Sequence, residues 1–193
     1  MKILVYTAIT NNRDSDRTDI PVYKDYNQFQ NPNLNAKIYK ILPHLFFPDY
    51  SVYIWVDGNV FLTKNKEYYI GAYLKHYDVA TFKHPFRDNI FQEAEELKNI
   101  VGFKDIVKTV EDQIVFYKQH KFHSNILYES NMIIRKNTNN VNKMFESWWA
   151  QITRWQYRDQ ISLPFIFNQY PEIKINTIKR SSRNNPDFIY VAH

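Results

Sequence analysis

Asp57-Gly58-Asn59 interrupts an otherwise apolar stretch, with Ser51-Val52-Tyr53-Ile54-Trp55-Val56 before it and Val60-Phe61-Leu62 after it. Two polar side chains one residue apart at a strand end can project the same way, while the intervening glycine admits a ligand closely. A divalent cation bound to a nucleoside diphosphate needs one or two protein oxygens, with phosphates and waters completing its shell. The same tripeptide is ordinary turn chemistry, so both readings stand at this point. Asn59 offers a neutral carbonyl oxygen where a second carboxylate would bind more tightly, which makes a metal depend more on substrate phosphates. The 193 residues include no cysteine. A thiolate site and a disulfide framework are therefore excluded, and Mn²⁺ or Mg²⁺ suits the chain better than structural zinc.

A second group lies at His84 and Arg87, three positions apart around Pro85, with Lys83 beside them. They leave the end of a strand-like segment together, and an arginine fork matches two phosphate oxygens at once. Arg87 can equally pair with Glu93 or Glu95 at the start of the next helix. Lys37 and Lys40 lie at helical spacing before the Asp57 strand, where a helix lysine is most often solvated. Glu129 sits on a strand-like segment. Trp148 and Trp149 are helix neighbours separated by about 100°. One of them is expected in the core and the other at the border of a cleft. His44 reads as a packing histidine, and His120 and His123 as solvated ones.

The elements that must position these groups alternate between strand and helix. Residues 2–9 read as a first strand, followed by a polar loop over 11–19 suited to a ligand. Helical spacing runs from Leu34 to Phe46, with Pro43 expected to kink or end the helix. Residues 51–56 form a buried strand whose carboxyl end carries Asp57, the usual place for an α/β ligand site. Helices are expected over 68–77, 89–101, 105–120, 139–155 and 159–167, the last limited by Pro164. Strands are expected over 78–82, 126–135, 172–178 and 188–191. With no internal repeat or low-complexity linker, residues 1–193 read as a single mixed α/β domain.

Net charge is +5, with 25 Lys+Arg against 20 Asp+Glu, which suits phosphate-bearing partners. The basic residues are dispersed among acids rather than gathered in a stripe, which argues against nucleic acid. Aromatics make up 17% of the chain, including 15 Tyr and 4 Trp, and serve equally as core or as faces for sugar rings. The opening apolar run is too short for a signal peptide and no stretch reaches membrane-span length. A soluble, cytoplasmic protein without a membrane span is the expectation.

A run of short segments, in order along the chain, resembles one family. Lys40-Ile41-Leu42-Pro43-His44, Phe47-Pro48-Asp49-Tyr50 and Tyr53-Ile54-Trp55-Val56-Asp57-Gly58-Asn59 are similar to the core signature of the TOD1/MUCI70 glycosyltransferase-like domain. Phe82-Lys83-His84-Pro85-Phe86-Arg87 with Glu93-Ala94, Glu129-Ser130 with Ile134-Arg135, and Trp148-Trp149 with Arg158-Asp159-Gln160-Ile161-Ser162 continue the match. The resemblance covers about residues 36–165. It implies a GT-A fold, a Rossmann-like, mixed, mostly parallel sheet flanked by helices that binds a nucleotide diphosphate sugar. It places Mn²⁺ or Mg²⁺ on Asp57 and Asn59, and on His193, which is similar to the late metal-binding histidine of some GT-A families. Lys37, Lys40, His84, Arg87 and Arg158 become candidates for the donor phosphates or sugar. Asp159 and Gln160 resemble the Asp-Gln pair of retaining GT-A enzymes, beside the transferred sugar, and join Glu129 as candidate catalytic residues. The implied activity is sugar transfer to a hydroxyl of a carbohydrate or glycolipid acceptor, with a non-catalytic nucleotide- or sugar-binding domain as the alternative.

Overall fold

The computed structural model describes residues 1–10, 14–15, 17–123 and 125–192. Its centre is a six-stranded sheet of β1 (Ile3–Ala8), β2 (Val22–Tyr23), β3 (Val52–Val56), β5 (Val79–Lys83), β6 (Tyr128–Lys136) and β7 (Ile175–Ile178). Their spatial order is β2-β1-β3-β6-β5-β7. β2, β1 and β3 pair in parallel, as do β5 and β7, while β6 runs antiparallel to both β3 and β5. The mixed, mostly parallel α/β sheet expected from the sequence is therefore present.

Both faces of the sheet are buried, which is why β3 reads as an unbroken apolar run. Tyr53 and Trp55 face one core, with Leu4 and Tyr6. Val52, Ile54 and Val56 face the other, with Ile3, Met132 and Ile134. The first core is covered by α1 (Pro32–Ile41), α4 (Ile90–Leu97), α5 (Val107–Gln119), α6 (Asn139–Arg154) and α7 (Asp159–Gln169). The second is covered by α3 (Lys66–Tyr69), its π-helical continuation Ile70–Leu74, and a two-stranded ribbon of β4 (Val60–Leu62) and β8 (Phe188–Tyr190).

Local chemistry sets the helix ends. Asn31 caps α1 by accepting the Asn33 N–H at 2.9 Å, and Pro32 occupies its first turn. Pro43 ends α1 as expected and opens the short α2 (Pro43–Phe46). Pro164 does not end α7, which continues to Gln169. Nine of its residues are buried, and that packing outweighs the lost backbone bond.

One irregularity bears on the site. The pairing of β5 with β6 runs Thr81↔Ile133 and then jumps to Phe82↔Glu129, so Ser130, Asn131 and Met132 bulge out of the ladder. The Thr81 hydroxyl lies across the bulge, 2.9 Å from the Met132 carbonyl and 3.3 Å from that of Glu129.

Candidate functional site

β1, β3 and β5 end on the same side of the sheet, where the bulged start of β6 meets them. A cleft of about 830 Å³ opens there. Its floor is the end of β3. Asp57 Oδ1 accepts the Trp55 indole N–H at 2.8 Å, and the rest of this side chain is partly exposed. Asn59 donates its amide N–H to the Val191 carbonyl at 2.9 Å, so its side-chain oxygen is the end turned elsewhere. Gly58 is required for space. A Cβ there would lie 2.6 Å from Asp14 Oδ2, so the loop after β1 lays a carboxylate against the glycine between Asp57 and Asn59.

One wall comes from α1 and α7. Asp159 Oδ2 receives Lys40 Nζ at 2.8 Å, Lys37 Nζ at 2.9 Å and the Ser130 hydroxyl at 3.1 Å. Lys40 also lies 3.7 Å from Asp57 Oδ1. Burial pushes the Asp159 carboxyl up, but the two ammonium groups more than offset this and hold it well below the carboxylate range. Burial also presses Lys40 toward neutrality, yet Asp159 and Asp57 keep its net shift upward. Lys37, with burial dominant, moves down. Lys40 is the firmly charged partner and Lys37 the one whose charge is held less tightly. Trp148 fixes the start of α7, its indole N–H reaching the Ser162 hydroxyl at 3.0 Å and the Asp159 carbonyl at 3.4 Å.

The opposite wall is built on Glu93, fully buried in α4. It binds Arg87 Nε at 2.5 Å and Arg158 at 2.6 and 2.8 Å. The expected pairing of Arg87 with Glu93 is present, and the paired guanidinium also lines the cleft. His84 lies beside it. Burial and the adjacent arginine lower its pKa to about 4, so the ring is neutral at pH 7. Near the mouth, Glu129 is ion-paired with Arg183, whose guanidinium sits 4.3 Å over the Tyr190 ring. Three buried oxygens of cleft-lining residues, Glu129 Oε2, Asn131 Oδ1 and Gln160 Oε1, have no hydrogen-bond partner among the described residues. Such acceptors are costly unless a ligand or water donates to them.

Lys37, Lys40, Asp57, Asn59, His84, Arg87, Glu129, Arg158, Asp159 and Gln160 all line this one cleft. His193 lies outside the described residues. Lys83 turns away to pair with Asp88 at 2.9 Å. Trp148 is core, as one of the tryptophans had to be, but Trp149 packs on Phe29 at 5.6 Å rather than bordering the cleft. His44 serves packing, accepting from buried Arg135 at 2.9 Å, and neither residue reaches the cleft. The sequence reading missed Asp14, Ser130, Asn131 and Arg183. Asp14 stood only within a loop expected to meet a ligand, and Arg183 had no local signal at all.

A family model described as TOD1/MUCI70, glycosyltransferase-like domain, matches residues 20–187. The chain belongs to this family. Among curated proteins, "Alkaline ceramidase TOD1" of Arabidopsis thaliana is 27% identical over 169 residues, covering 81% of this chain. The chain corresponds to only 36% of that relative's length. Among solved structures, a glycosyltransferase involved in glycosylation of the major capsid of PBCV-1 superposes with a TM-score of 0.50 at 8% identity, over 94% of this chain and 82% of that one. It shares the fold. Mouse xyloside xylosyltransferase 1 gives a TM-score of 0.43 at 11% identity over 75% and 50% of the two chains, too low to weigh. Among the described residues no helix is long and apolar enough to cross a membrane.

Proposed function

We propose that this TOD1/MUCI70 domain transfers a glycosyl group from a nucleoside diphosphate sugar to a hydroxyl of a carbohydrate or glycolipid acceptor. The observation that carries the reading is the charge of the cleft. Five cationic side chains, Lys37, Lys40, Arg87, Arg158 and Arg183, line it against three acidic ones, Asp57, Glu129 and Asp159. Charge develops on the departing diphosphate, and fixed cations in a partly desolvated cleft stabilise it without reorganising. The lysine wall, next to Asp57 and Asn59, suits the diphosphate. Lys37 is the more adaptable cation, since it can turn from Asp159 to a phosphate while Lys40 keeps the carboxylate paired. The unpartnered oxygens of Gln160, Asn131 and Glu129 suit the hydroxyls of sugars. Glu129 is the candidate to accept the acceptor hydroxyl's hydrogen.

The donor set fits a hard divalent cation. Asp57 and Asn59 would hold it, with the Asp14 carboxylate laid beside them against Gly58. Mn²⁺ or Mg²⁺ bound there supplies a Lewis acid for the leaving phosphate. Among the described residues no three His, Cys, Asp or Glu side chains cluster as a metal cage. Substrate phosphates must therefore provide much of the shell, and metal and donor bind together.

The test is incubation of the purified domain with nucleotide sugars, candidate glycan and glycolipid acceptors, and Mn²⁺. Release of nucleoside diphosphate together with a glycosylated product, both lost in Asp57→Ala, supports transfer. Binding without turnover converts the assignment to a non-catalytic sugar-nucleotide domain. Release of fatty acid from ceramide with no glycosyl product would instead extend the activity named for the Arabidopsis relative to this chain.

A further inference from the structure

Arg158, Asp159 and Gln160 enter the cleft from the start of α7, a helix with no side-chain cap. The first N–H groups of a helix have no partner within it, and a capping side chain is what usually fixes that end. The connection from α6 takes only residues 155–158, and within it Gln156 supplies a substitute. Its Oε1 accepts the backbone N–H of Arg158, and its Nε2 lies 3.3 Å from the Arg158 carbonyl. A single carboxamide thus holds both backbone polar groups of the residue at the N-cap of α7.

That carboxamide is itself held from the core. Gln156 Nε2 donates to Gln113 Oε1 at 2.8 Å, Gln113 Nε2 to the Tyr117 hydroxyl at 2.7 Å, and that hydroxyl to Gln151 Oε1 at 3.0 Å. Arg158 fixes the polarity of the whole chain, because a backbone N–H can only donate. Turning any one carboxamide over would set donor against donor or acceptor against acceptor. Burial pushes the Tyr117 hydroxyl up, so it keeps the hydrogen that it gives to Gln151. Gln113 and Tyr117 are 0% exposed and Gln156 is 7% exposed, and none of the three lines the cleft. Apolar side chains would join α5, α6 and α7 without the cost of burying polar groups. What the polar chain adds is one defined position for the Arg158 backbone. The same residue is fixed at its other end by Glu93, which takes its guanidinium at 2.6 and 2.8 Å.

We propose that Gln156, set by Gln113 and Tyr117, is a positioning residue for sugar transfer: it fixes the Arg158 backbone and thereby aims the Asp159 and Gln160 side chains into the cleft. The role rests on the transferase reading, since a reaction held by geometry loses about a hundredfold in rate for a misplacement of about 1 Å. Gln156→Met keeps a side chain of similar length and removes both hydrogen-bonding groups. It should lower kcat about tenfold or more. The Kd for nucleoside diphosphate, measured by calorimetry, should stay unchanged, because Lys37 and Lys40 stand on α1. Hydrogen exchange at the Arg158 N–H, followed by NMR in protein labelled with ¹⁵N-arginine, should become about tenfold or more faster.

A second variant separates positioning from support of the core. Gln156→Met leaves Gln113 Oε1 buried without a donor and should lose stability for that reason. Gln113→Met/Gln156→Met removes both partners, so much of that stability should return, while kcat and the protection of the Arg158 N–H stay low. If the single variant does not fold, the double variant carries the same measurements. Recovery of kcat along with stability in the double variant overturns the proposal, because Gln156 would then serve only the core. An Arg158 N–H that stays protected in Gln156→Met overturns it too, as does a kcat equal to that of wild type. If wild type shows no turnover, the transferase reading fails, and exchange at Arg158 still decides whether Gln156 fixes this backbone.

Discussion

Asp159→Asn removes one negative charge from a place where two ammonium groups converge. Lys40 and Lys37 reach the same oxygen at 2.8 and 2.9 Å, and Lys40 is only 4% exposed. Lys40 would retain Asp57 at 3.7 Å, and Lys37 would have no carboxylate within ion-pair distance among the described residues. Breaking a buried pair by removing one partner costs about 3–5 kcal/mol, because the remaining charge stays buried. For a chain of this size that corresponds to a fall in Tm of about 6–20 °C. Thermal and urea unfolding at pH 7 measure it. Converting the partners as well, in Asp159→Asn/Lys37→Met/Lys40→Met, should recover much of the loss, since apolar replacement of a whole buried ion group is often close to neutral. The triple variant should still lose donor binding. The sign with pH follows from the depressed Asp159 carboxyl, whose contribution is complete above its unfolded pKa of about 3.9 and is lost as pH falls through the lower folded value. The gap between wild type and Asp159→Asn should therefore be level near neutrality and shrink only in strong acid. A loss below about 1 kcal/mol at pH 7, the size of an exposed pair, would refute the view that this ion group is buried and mutually dependent.

Three other outcomes follow from the geometry. His84 is neutral and buried with a pKa of about 4, so the unfolded chain binds more protons between about pH 4 and 6.5. Stability should rise by up to about 3 kcal/mol across that window, and His84→Asn should remove this part of the slope in unfolding titrations. Gly58→Ala pushes a methyl group into the Asp14 carboxylate at 2.6 Å and should displace that loop. Its backbone is not in the left-handed region, so the stability loss should stay below about 1 kcal/mol, while Mn²⁺ affinity in the presence of a nucleoside diphosphate weakens in a calorimetric titration. Thr81→Val removes the hydroxyl that bridges the β6 bulge and should cost about 1–3 kcal/mol in chemical unfolding, with weaker acceptor binding.

Much of this arrangement was legible in the sequence where the signal is local. The apolar run ending at Asp57 marked a doubly buried strand, and Pro43 marked the end of α1. The alternation of 126–135 suggested a regular strand, in which Glu129, Ser130 and Asn131 could not all face one side. The bulge lets all three line the cleft, and it arises from pairing with β5, nearly fifty residues earlier in the chain. Asp159 was placed by resemblance beside the transferred sugar. That its carboxylate lies between Lys37 and Lys40 depends on the packing of α7 against α1, which no local pattern encodes. Arg183 pairs with Glu129 across 54 positions, from a polar stretch that reads as loop. The helix expected over 159–167 is present and runs on to Gln169, because burial of nine of its residues outweighs the cost of Pro164.

The most direct measurement is thermal stabilisation of the purified domain by a panel of nucleoside diphosphates, each with and without Mn²⁺. A ligand present at a hundred times its Kd contributes about 2.7 kcal/mol, or about 5–10 °C in Tm here. At least one nucleoside diphosphate should reach that shift, more strongly with the metal than without, and Lys37→Met/Lys40→Met should remove it. A panel in which no nucleoside diphosphate stabilises the fold, with or without Mn²⁺, would contradict the assignment of this cleft to a nucleotide sugar.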